Sequence, residues 1–266
     1  MSKESQEQSI FSSFKFALAF LTLLPVVSKT LVSKKNMANS LCFFAFVGLV
    51  FAGLNYLCFW AFNFHESTWV LALSILVLNT LLSGGLHLDA LMDSFDGLAV
   101  SDRDQAEIQR VMKDSRVGAF GVIGLVFVLA CQFIFIAQSF YDSFLYTYLL
   151  CLVPVFSRLL LVLELVFFVD KEKLDAKSSL QTFLGFDFSK VVTFNTLTLL
   201  VLILVYSGVK ICIVVFVVIA LILSIVLYRF LKFKLKGQNG DSLGCGLVLN
   251  EAIMYFLIFV FSNVLT

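Results

Sequence analysis

The chain is long, apolar and nearly neutral: its 266 residues are 60% hydrophobic and 14% charged, and the formal net charge is +1 at pH 7. Soluble domains are on average ~45–50% apolar and ~25% charged, so this composition is typical of an integral membrane protein. The charge balance excludes the basic composition of a nucleic-acid-binding protein, and we expect no nucleic-acid partner.

Seven apolar runs are each about as long as a transmembrane helix, which needs ~20 mostly apolar residues. They cover residues 39–62, 68–86, 117–138, 143–169, 191–208, 210–230 and 246–265. An earlier run, 16–27, is shorter and contains Pro25, so it can span the membrane, re-enter it or lie in its interface. Because no linker separates the runs, we predict one all-α polytopic membrane domain over residues 1–266. It would have seven transmembrane helices and a short or re-entrant N-terminal one.

Lysine and arginine are distributed unevenly between the loops. The connections near 63–67, 139–142 and 208–210 hold only Lys210 among them. The alternate loops hold Lys29, Lys34, Lys35, Arg103, Arg110, Lys113, Arg116, Lys171, Lys173, Lys177, Lys190, Arg229, Lys232, Lys234 and Lys236. Short loops rich in Lys and Arg stay in the cytoplasm. We therefore predict a multi-pass protein of the cytoplasmic (inner) membrane, with the polar motifs described next on the cytoplasmic side.

Three acids lie close together in GGLHLDALMDSFDG (84–97), directly after an apolar run. Asp89, Asp93 and Asp96 have the spacing i, i+4, i+7 and so share one face of a helix. Like charges on one helix face repel each other, and at the end of a membrane span they are costly to desolvate. A divalent cation removes both penalties, and Mg²⁺ is typically held by one or two carboxylates, water and substrate phosphate. These acids are therefore predicted Mg²⁺ ligands; a solvated acidic cap is the structural alternative.

His87 is one of two histidines in the chain and immediately precedes these acids. A role as general base or as a hydrogen-bond partner of the substrate is plausible, and we take it as a catalytic candidate. Helical geometry predicts that it points away from the acids, so a structural role is the alternative.

The following stretch, IQRVMKDSRVGAFGVIG (108–124), places bases beside an acid. Arg110, Lys113 and Arg116 can clamp a polyphosphate, and Asp114 can bind a metal or orient a base. We take Arg110 and Arg116 as substrate-binding candidates and Lys113 and Asp114 as catalytic ones. The alternative is a purely topological role as the positive flank of a span.

Glycine marks two stretches near these candidates. A spacing of three residues, which we expect to allow close helix packing, separates Gly118, Gly121 and Gly124. KGQNGDSLGCG (236–246) precedes the last span, and a glycine-rich turn lets backbone N–H groups approach an anion. Its Asp241 is a substrate-binding candidate that could also complete a metal site; a loop-to-helix cap is the alternative.

Arg158 lies in the middle of an apolar run, where a charge costs at least ~2.5–3.5 kcal/mol and normally faces a cavity or a partner. Glu164 is six residues away on the same helix, a spacing that does not bring the two side chains together. Glu251 in the last run is the other candidate partner. We favour substrate binding for Arg158 over a buried structural pair.

Together these stretches resemble the cobalamin synthase family, the adenosylcobinamide-GDP ribazoletransferases. The resemblance is carried, in family order, by GGLHLDALMDSFDGL (84–98), VMKDSRVGAFGV (111–122), PVFSR (154–158) and GQNGDSLG (237–244). Ala90 and Cys245 stand where glycine and alanine are usual. Leu23 and Leu24 precede Pro25 where the family commonly has an arginine, which removes a basis for assigning the N-terminal segment to substrate binding.

The resemblance implies a Mg²⁺-dependent phosphotransferase of cobalamin nucleotide-loop assembly. Its substrates would be adenosylcobinamide-GDP and α-ribazole or the 5′-phosphate of α-ribazole. A hydroxyl of the riboside would displace GMP, leaving adenosylcobalamin or its 5′-phosphate. The partners would be these small molecules and the lipid bilayer, and a homo-oligomer is one option for the assembly.

Two other classes compete with this interpretation. A CDP-alcohol phosphotransferase would perform similar chemistry on a lipid alcohol, but its usual D-G-x-x-A-R run is not found in the sequence. An ion-coupled transporter would keep its charges near the bilayer midplane and show an internal repeat. Here most acids gather at one face, and no repeat is evident.

Overall fold

Regular structure in the described part of the chain is helical throughout. The computed structural model describes residues 10–26, 33–62, 67–100, 102, 104–139, 144–169, 179–183, 185–205 and 211–264. Within them lie α1 (Ile10–Leu21), α2 (Lys34–Asn39), α3 (Phe44–Phe62), α4 (Thr68–Ser83), α5 (Leu86–Ala99), α6 (Gln105–Met112), α7 (Ala119–Gln138), α8 (Phe144–Leu163), α9 (Phe188–Val205), α10 (Ile211–Lys234) and α11 (Gly240–Val264). A 3₁₀ turn, Ser40–Phe43, joins α2 to α3, a π turn, Glu164–Phe168, extends α8, and a second 3₁₀ turn covers Ser179–Phe183. The predicted all-α class is confirmed.

Several helices are long and apolar enough to cross a membrane. Among the described residues they are Lys34–Ala61, Ala119–Gln138, Leu145–Phe168, Val214–Lys234 and Gly240–Asn263. The pair α4 and α5 is a sixth candidate, although its two helices are bent by 92°. The described part of α1 has 12 residues, fewer than the ~20 of a full span, and whether this segment spans the membrane, re-enters it or lies in its interface stays a prediction. The membrane helix bundle is confirmed, and the count of seven spans stays a prediction.

Parts of the predicted topology lie outside the described residues. They include the ends of several apolar runs and the basic residues Lys29, Arg103, Lys171, Lys173, Lys177 and Lys210.

Two successive glycines make the bend between α4 and α5. Gly84 and Gly85 have φ values of +66° and +71°, in the left-handed region that residues with a side chain rarely adopt. A Cβ on Gly84 would also lie 2.6 Å from Leu23 Cδ2. The N–H of Leu23 donates to the carbonyl of Leu82 (2.8 Å). This hydrogen bond joins the segment after α1 to the end of α4. The bend turns α5 away from the axis of α4.

Close packing of α3 on α8 depends on one glycine. A Cβ on Gly48 would lie 2.6 Å from Val155 Cα and 2.8 Å from the carbonyl oxygen of Pro154, so the two backbones touch at this point. Small residues are the usual means by which membrane helices approach this closely. The contact fixes α8 against α3 one turn before Arg158.

A buried ion pair joins α8 to α11. The Arg158 side chain is 3% exposed, and its Nη1 lies 2.8 Å from Glu251 Oε1. Nη1 also donates to the Pro154 carbonyl (3.0 Å) and to Ser157 Oγ (3.1 Å). The guanidinium lies over the ring of Phe51, 4.2 Å from its centroid. Of the two acids that the sequence offered as partners of Arg158, Glu251 is the one that pairs with it.

The other candidate acid, Glu164, makes a separate polar contact. It is buried at the start of the π turn and accepts hydrogen bonds from Ser224 Oγ of α10 (3.2 Å) and Asn250 Nδ2 of α11 (3.3 Å). Hydrogen bonds of this kind tie membrane helices together because the alternative is an unsatisfied polar group in hydrocarbon. Glu164 therefore links α8, α10 and α11.

Gly48→Ala is expected to destabilise the protein by about 1–3 kcal/mol, the usual cost of inserting a methyl group into a packed contact. The matched control is Gly53→Ala on the same helix, where a Cβ would meet nothing within 4 Å. That control should gain about 0.5–1 kcal/mol from helix propensity. Thermal unfolding in detergent measures both, and equal melting temperatures of the two variants would contradict the packing argument.

Arg158→Leu is expected to lower the melting temperature because it leaves Glu251 largely buried without a cation. Breaking a buried pair costs about 3–5 kcal/mol, and the 15% exposure of the Glu251 side chain places this case toward the lower end. The double variant Arg158→Leu with Glu251→Leu should melt above the single variant, since no unpaired charge remains. A single variant as stable as the wild type would rule out a structural role for the pair.

Candidate active site

The acids of α5 meet a fourth carboxylate from α11. Asp89 is exposed and Asp93 is partly buried on the same face of α5. Asp93 lies within electrostatic range of Asp89, Asp96 and Asp241. No described residue forms a salt bridge with Asp89 or Asp93. The mutual repulsion of these carboxylates therefore favours binding of a cation.

Asp96 differs from its neighbours because both of its oxygens are engaged. The N–H of Gly118 donates to Oδ2 (2.7 Å) and the N–H of Gly121 donates to Oδ1 (2.8 Å). These groups lie at the N-terminus of α7, where a negative charge is favourable. A Cβ on Gly118 or Gly121 would collide with the Asp96 carboxylate. The expected close packing at these glycines is confirmed, and Asp96 as a metal ligand stays a prediction.

The start of α11 brings Asp241 to the acids of α5. Asn239 caps this helix, since its Oδ1 accepts the N–H of Ser242 (2.8 Å). A Cβ on Gly244 would lie 2.7 Å from Ala90 Cβ, so α11 crosses α5 in close contact. Asp241 is then within electrostatic range of Asp89. The structure thus groups Asp241 with the predicted metal ligands.

The two arginines of the 108–124 stretch pair within their own segment. Arg110 Nη2 lies 2.7 Å from Glu107 Oε1, and Arg116 Nη2 lies 2.8 Å from Asp114 Oδ2. Both guanidiniums are exposed, and such surface pairs are weak enough to be exchanged for a phosphate. Their substrate-binding roles stay predictions.

Asp114 is an acid that stays ionised. Hydrogen bonds from the side chain and the backbone N–H of Arg116 lower the pKa of Asp114 to about 2. A carboxylate with this pKa is a weak base at neutral pH, so Asp114 is suited to orienting Arg116 rather than to accepting a proton. Lys113 is exposed and lies within electrostatic range of Asp241. It is therefore the basic residue of the 108–124 stretch that lies near the acids.

A cavity of about 200 Å³ lies between α1, α3, α5, α8 and α11, and we call it the site cavity. Its polar side chains are His87, Asp89 and Asp241. The remaining side chains that line it are apolar, namely Phe20, Phe44, Leu86, Ala90, Leu161, Leu165, Leu180, Phe183 and Leu243. Two of the predicted metal and substrate ligands therefore share one cavity with the predicted catalytic histidine.

His87 lies between this cavity and a second, smaller one. It is buried, and its Nε2 has no hydrogen-bond partner among the described residues. It also lines a polar cavity of about 40 Å³ together with Gln132, Arg158 and Glu251. The expectation that His87 points away from the acids is only partly met, because it shares the site cavity with Asp89. Arg158 lines the smaller cavity, and its role in substrate binding stays a prediction.

The carboxylates of the site are suited to a Mg²⁺ ion that takes most of its ligands from water and from the substrate. No three His, Cys, Asp or Glu side chains within the described ranges are gathered tightly enough to surround a metal ion. Mg²⁺ does not need such a cage, since it is usually bound through one or two carboxylates plus water and phosphate oxygens. Asp89 and Asp93 have no competing hydrogen bond from described residues and are suited to that role.

Three aromatic residues of the site cavity are among those that the sequence does not predict. Phe20, Phe44 and Phe183 come from α1, α3 and the second 3₁₀ turn, and their rings contact one another. No local signal distinguishes them, because the chain contains 31 phenylalanines. Only the packing of distant segments brings them together.

Comparison with known proteins agrees with these motifs. A family model described as cobalamin-5-phosphate synthase matches residues 13–259. A protein named adenosylcobinamide-GDP ribazoletransferase from Clostridium botulinum (strain Langeland / NCTC 10281 / Type F) is 30% identical, over 94% of this chain and 98% of its own length. Proteins of the same name are 28% identical in Clostridioides difficile (strain 630), over 93% and 98%, and 35% identical in Desulfitobacterium hafniense (strain Y51), over 57% and 60%.

No solved structure matches the chain. The family model covers most of the sequence, including all four motifs that carry the resemblance. The chain belongs to the cobalamin-5-phosphate synthase family.

Proposed function

We propose that this protein is an adenosylcobinamide-GDP ribazoletransferase, a membrane transferase of cobalamin synthesis. A ribose hydroxyl of α-ribazole, or of its 5′-phosphate, attacks the cobinamide-linked phosphorus of adenosylcobinamide-GDP. The bond from that phosphorus to the GMP oxygen breaks, and adenosylcobalamin or its 5′-phosphate forms. Family membership supports this function, and the names of the relatives favour it over a CDP-alcohol phosphotransferase or a transporter.

The observation that carries the proposal is the meeting of carboxylates from two helices beside the site cavity. Phosphoryl transfer depends mainly on positioning the reactants and neutralising their charge. Asp89 and Asp93 would hold Mg²⁺, with Asp241 beside them. When bound, Mg²⁺ would neutralise charge on the diphosphate and on the departing GMP.

The remaining polar residues bind and orient the substrates. Lys113, beside Asp241, is placed to contact a phosphate oxygen, and Arg110 and Arg116 can exchange their surface partners for the nucleotide phosphates. His87 lines the site cavity beside Asp89, so we assign it the role of accepting the proton of the attacking hydroxyl.

The site would face the cytoplasm. The loops near Asp96, Lys113 and Asp241 belong to the basic set, and basic loops stay inside. Gly237, just before α11, packs near Gln105 of α6, so these loops meet at one end of the bundle. An inner-membrane enzyme with this orientation would receive both of its substrates from the cytoplasm.

Asp93→Asn is expected to lower GMP release on the order of 100-fold or more, since even indirect supports of a metal site contribute 10–100-fold. The substitution removes a repulsive charge, so the melting temperature should not fall. Purified protein is assayed in detergent with adenosylcobinamide-GDP, α-ribazole and graded Mg²⁺, and a chelator should abolish wild-type activity until Mg²⁺ is restored.

The matched control for that test is Asp187→Asn, which removes a surface acid paired with Lys190 (3.1 Å) away from the site cavity. Its activity should equal that of the wild type. Near-normal turnover of Asp93→Asn at every Mg²⁺ concentration would contradict the metal assignment.

Orientation is tested with single cysteines in a background without native thiols. Ala106→Cys, exposed on α6, should react with an impermeant maleimide only after cells are opened, whereas Asn263→Cys, exposed near the end of α11, should react in intact cells. The physical reason is that α11 is long and apolar enough to cross the bilayer between Asp241 and Asn263, which would put its two ends on opposite sides. Labelling of Ala106→Cys from outside intact cells would overturn the proposed topology.

A further inference from the structure

The site cavity has two chemically different linings. The polar lining comes from α5 and the start of α11, and the proposed phosphoryl transfer uses it. The other lining is apolar and includes Phe20, Phe44 and Phe183, which we call the aromatic wall. No step of the proposed transfer uses these three residues. An aromatic surface beside a set of phosphate-handling residues requires an explanation.

We propose that the aromatic wall binds the flat, apolar base of the riboside substrate, the benzimidazole of α-ribazole, while the ribose faces the carboxylates. This inference rests on the proposed ribazoletransferase function and assigns one of its two substrates to a place in the structure. The wall would thereby be the part of the site that determines which bases are accepted.

The geometry of the wall suits stacking. The rings of Phe20 and Phe44 are nearly parallel, at 17° with centroids 6.0 Å apart. Phe183 braces both, at 5.1 Å from Phe20 and 6.1 Å from Phe44. Phe44 and Phe183 are 1% and 5% exposed, whereas Phe20 is 37% exposed. Two buried rings thus hold a third that has accessible surface, as in the stacking platforms on which proteins bind bases.

The size of the cavity limits what can enter it. Pockets that take drug-sized ligands measure ~300–1,000 Å³, and the site cavity measures about 200 Å³. A corrinoid with its side chains is much larger than such ligands and cannot be enclosed here. A bicyclic base is of suitable size, with the corrinoid remaining outside.

Guanine of the departing nucleotide is also flat and bicyclic, so the polarity of the wall decides between the two bases. Guanine has donors and acceptors around its edge, and burying them without partners is unfavourable. Apart from the acids and His87, the described lining of the cavity offers no polar side chain. Benzimidazole has few polar atoms and loses little when it is buried among phenylalanines.

The experiment is Phe20→Ala in the full chain, with steady-state kinetics for both substrates. The KM for α-ribazole should rise roughly 5- to 150-fold, the range by which alanine substitution weakens base–aromatic stacking, while the KM for adenosylcobinamide-GDP stays within about twofold. Phe20→Tyr keeps the ring and should retain the wild-type KM for α-ribazole. Calorimetric titration with α-ribazole alone should show the same loss of affinity in Phe20→Ala.

The matched control is Phe11→Ala, on the same helix but away from the site cavity, which should leave both KM values unchanged. A higher KM for adenosylcobinamide-GDP in Phe20→Ala, with α-ribazole unaffected, would place guanine or the corrinoid on the wall and overturn the inference. Unchanged values for both substrates would overturn it too. A wild type that binds α-ribazole through Phe20 yet releases no GMP would refute the proposed function and leave the binding site standing.

Discussion

The 92° bend at Gly84 and Gly85 is the constraint on which the site depends. If the chain continued straight from α4, the acids of α5 would extend along the axis of a membrane span, where charge is costly. The bend instead lays α5 across the start of α7 and α11, so that its acidic face meets the N-terminal ends of both helices. Leu23 packs against Gly84 in the bend, and α1, which precedes Leu23, contributes Phe20 to the same cavity. One backbone conformation therefore places both the polar and the aromatic lining.

The crowding of acids is tolerated because they are not equivalent. Asp96 gives both oxygens to the N-terminus of α7, which offsets its charge with two N–H donors and docks α7 on α5. Asp89 and Asp93 have no such compensation from described residues, so their charges repel each other. A row of three identical side chains is thus divided by its surroundings into one that holds the fold and two that are available to a ligand.

Much of this arrangement follows from local sequence patterns. The shared face of the acids and the close packing at Gly118 and Gly121 depend on helical periodicity, which a short segment specifies completely. The need of a charge at bilayer depth for a partner makes Glu251 one of the two candidate partners of Arg158, but it does not decide between the pair seen here and the favoured substrate role. Two features could not be predicted from local sequence patterns. The local pairing of the arginines depends on loop conformation, and the aromatic wall depends on contacts between segments up to 163 residues apart, Phe20 and Phe183.

The stability of the bundle and the geometry of the site are coupled through α11. Asp241 lies in its first turn and Glu251 ten residues later, about 15 Å along the helix at a rise of 1.5 Å per residue. The pair with Arg158 fixes the rotation and the height of α11 against α8, and the contact of Gly244 with Ala90 fixes its approach to α5. Because a helix is stiff over three turns, these two contacts leave Asp241 little freedom relative to Asp89. A buried charge that costs energy in the membrane can therefore be retained because it sets the position of a carboxylate at the membrane surface.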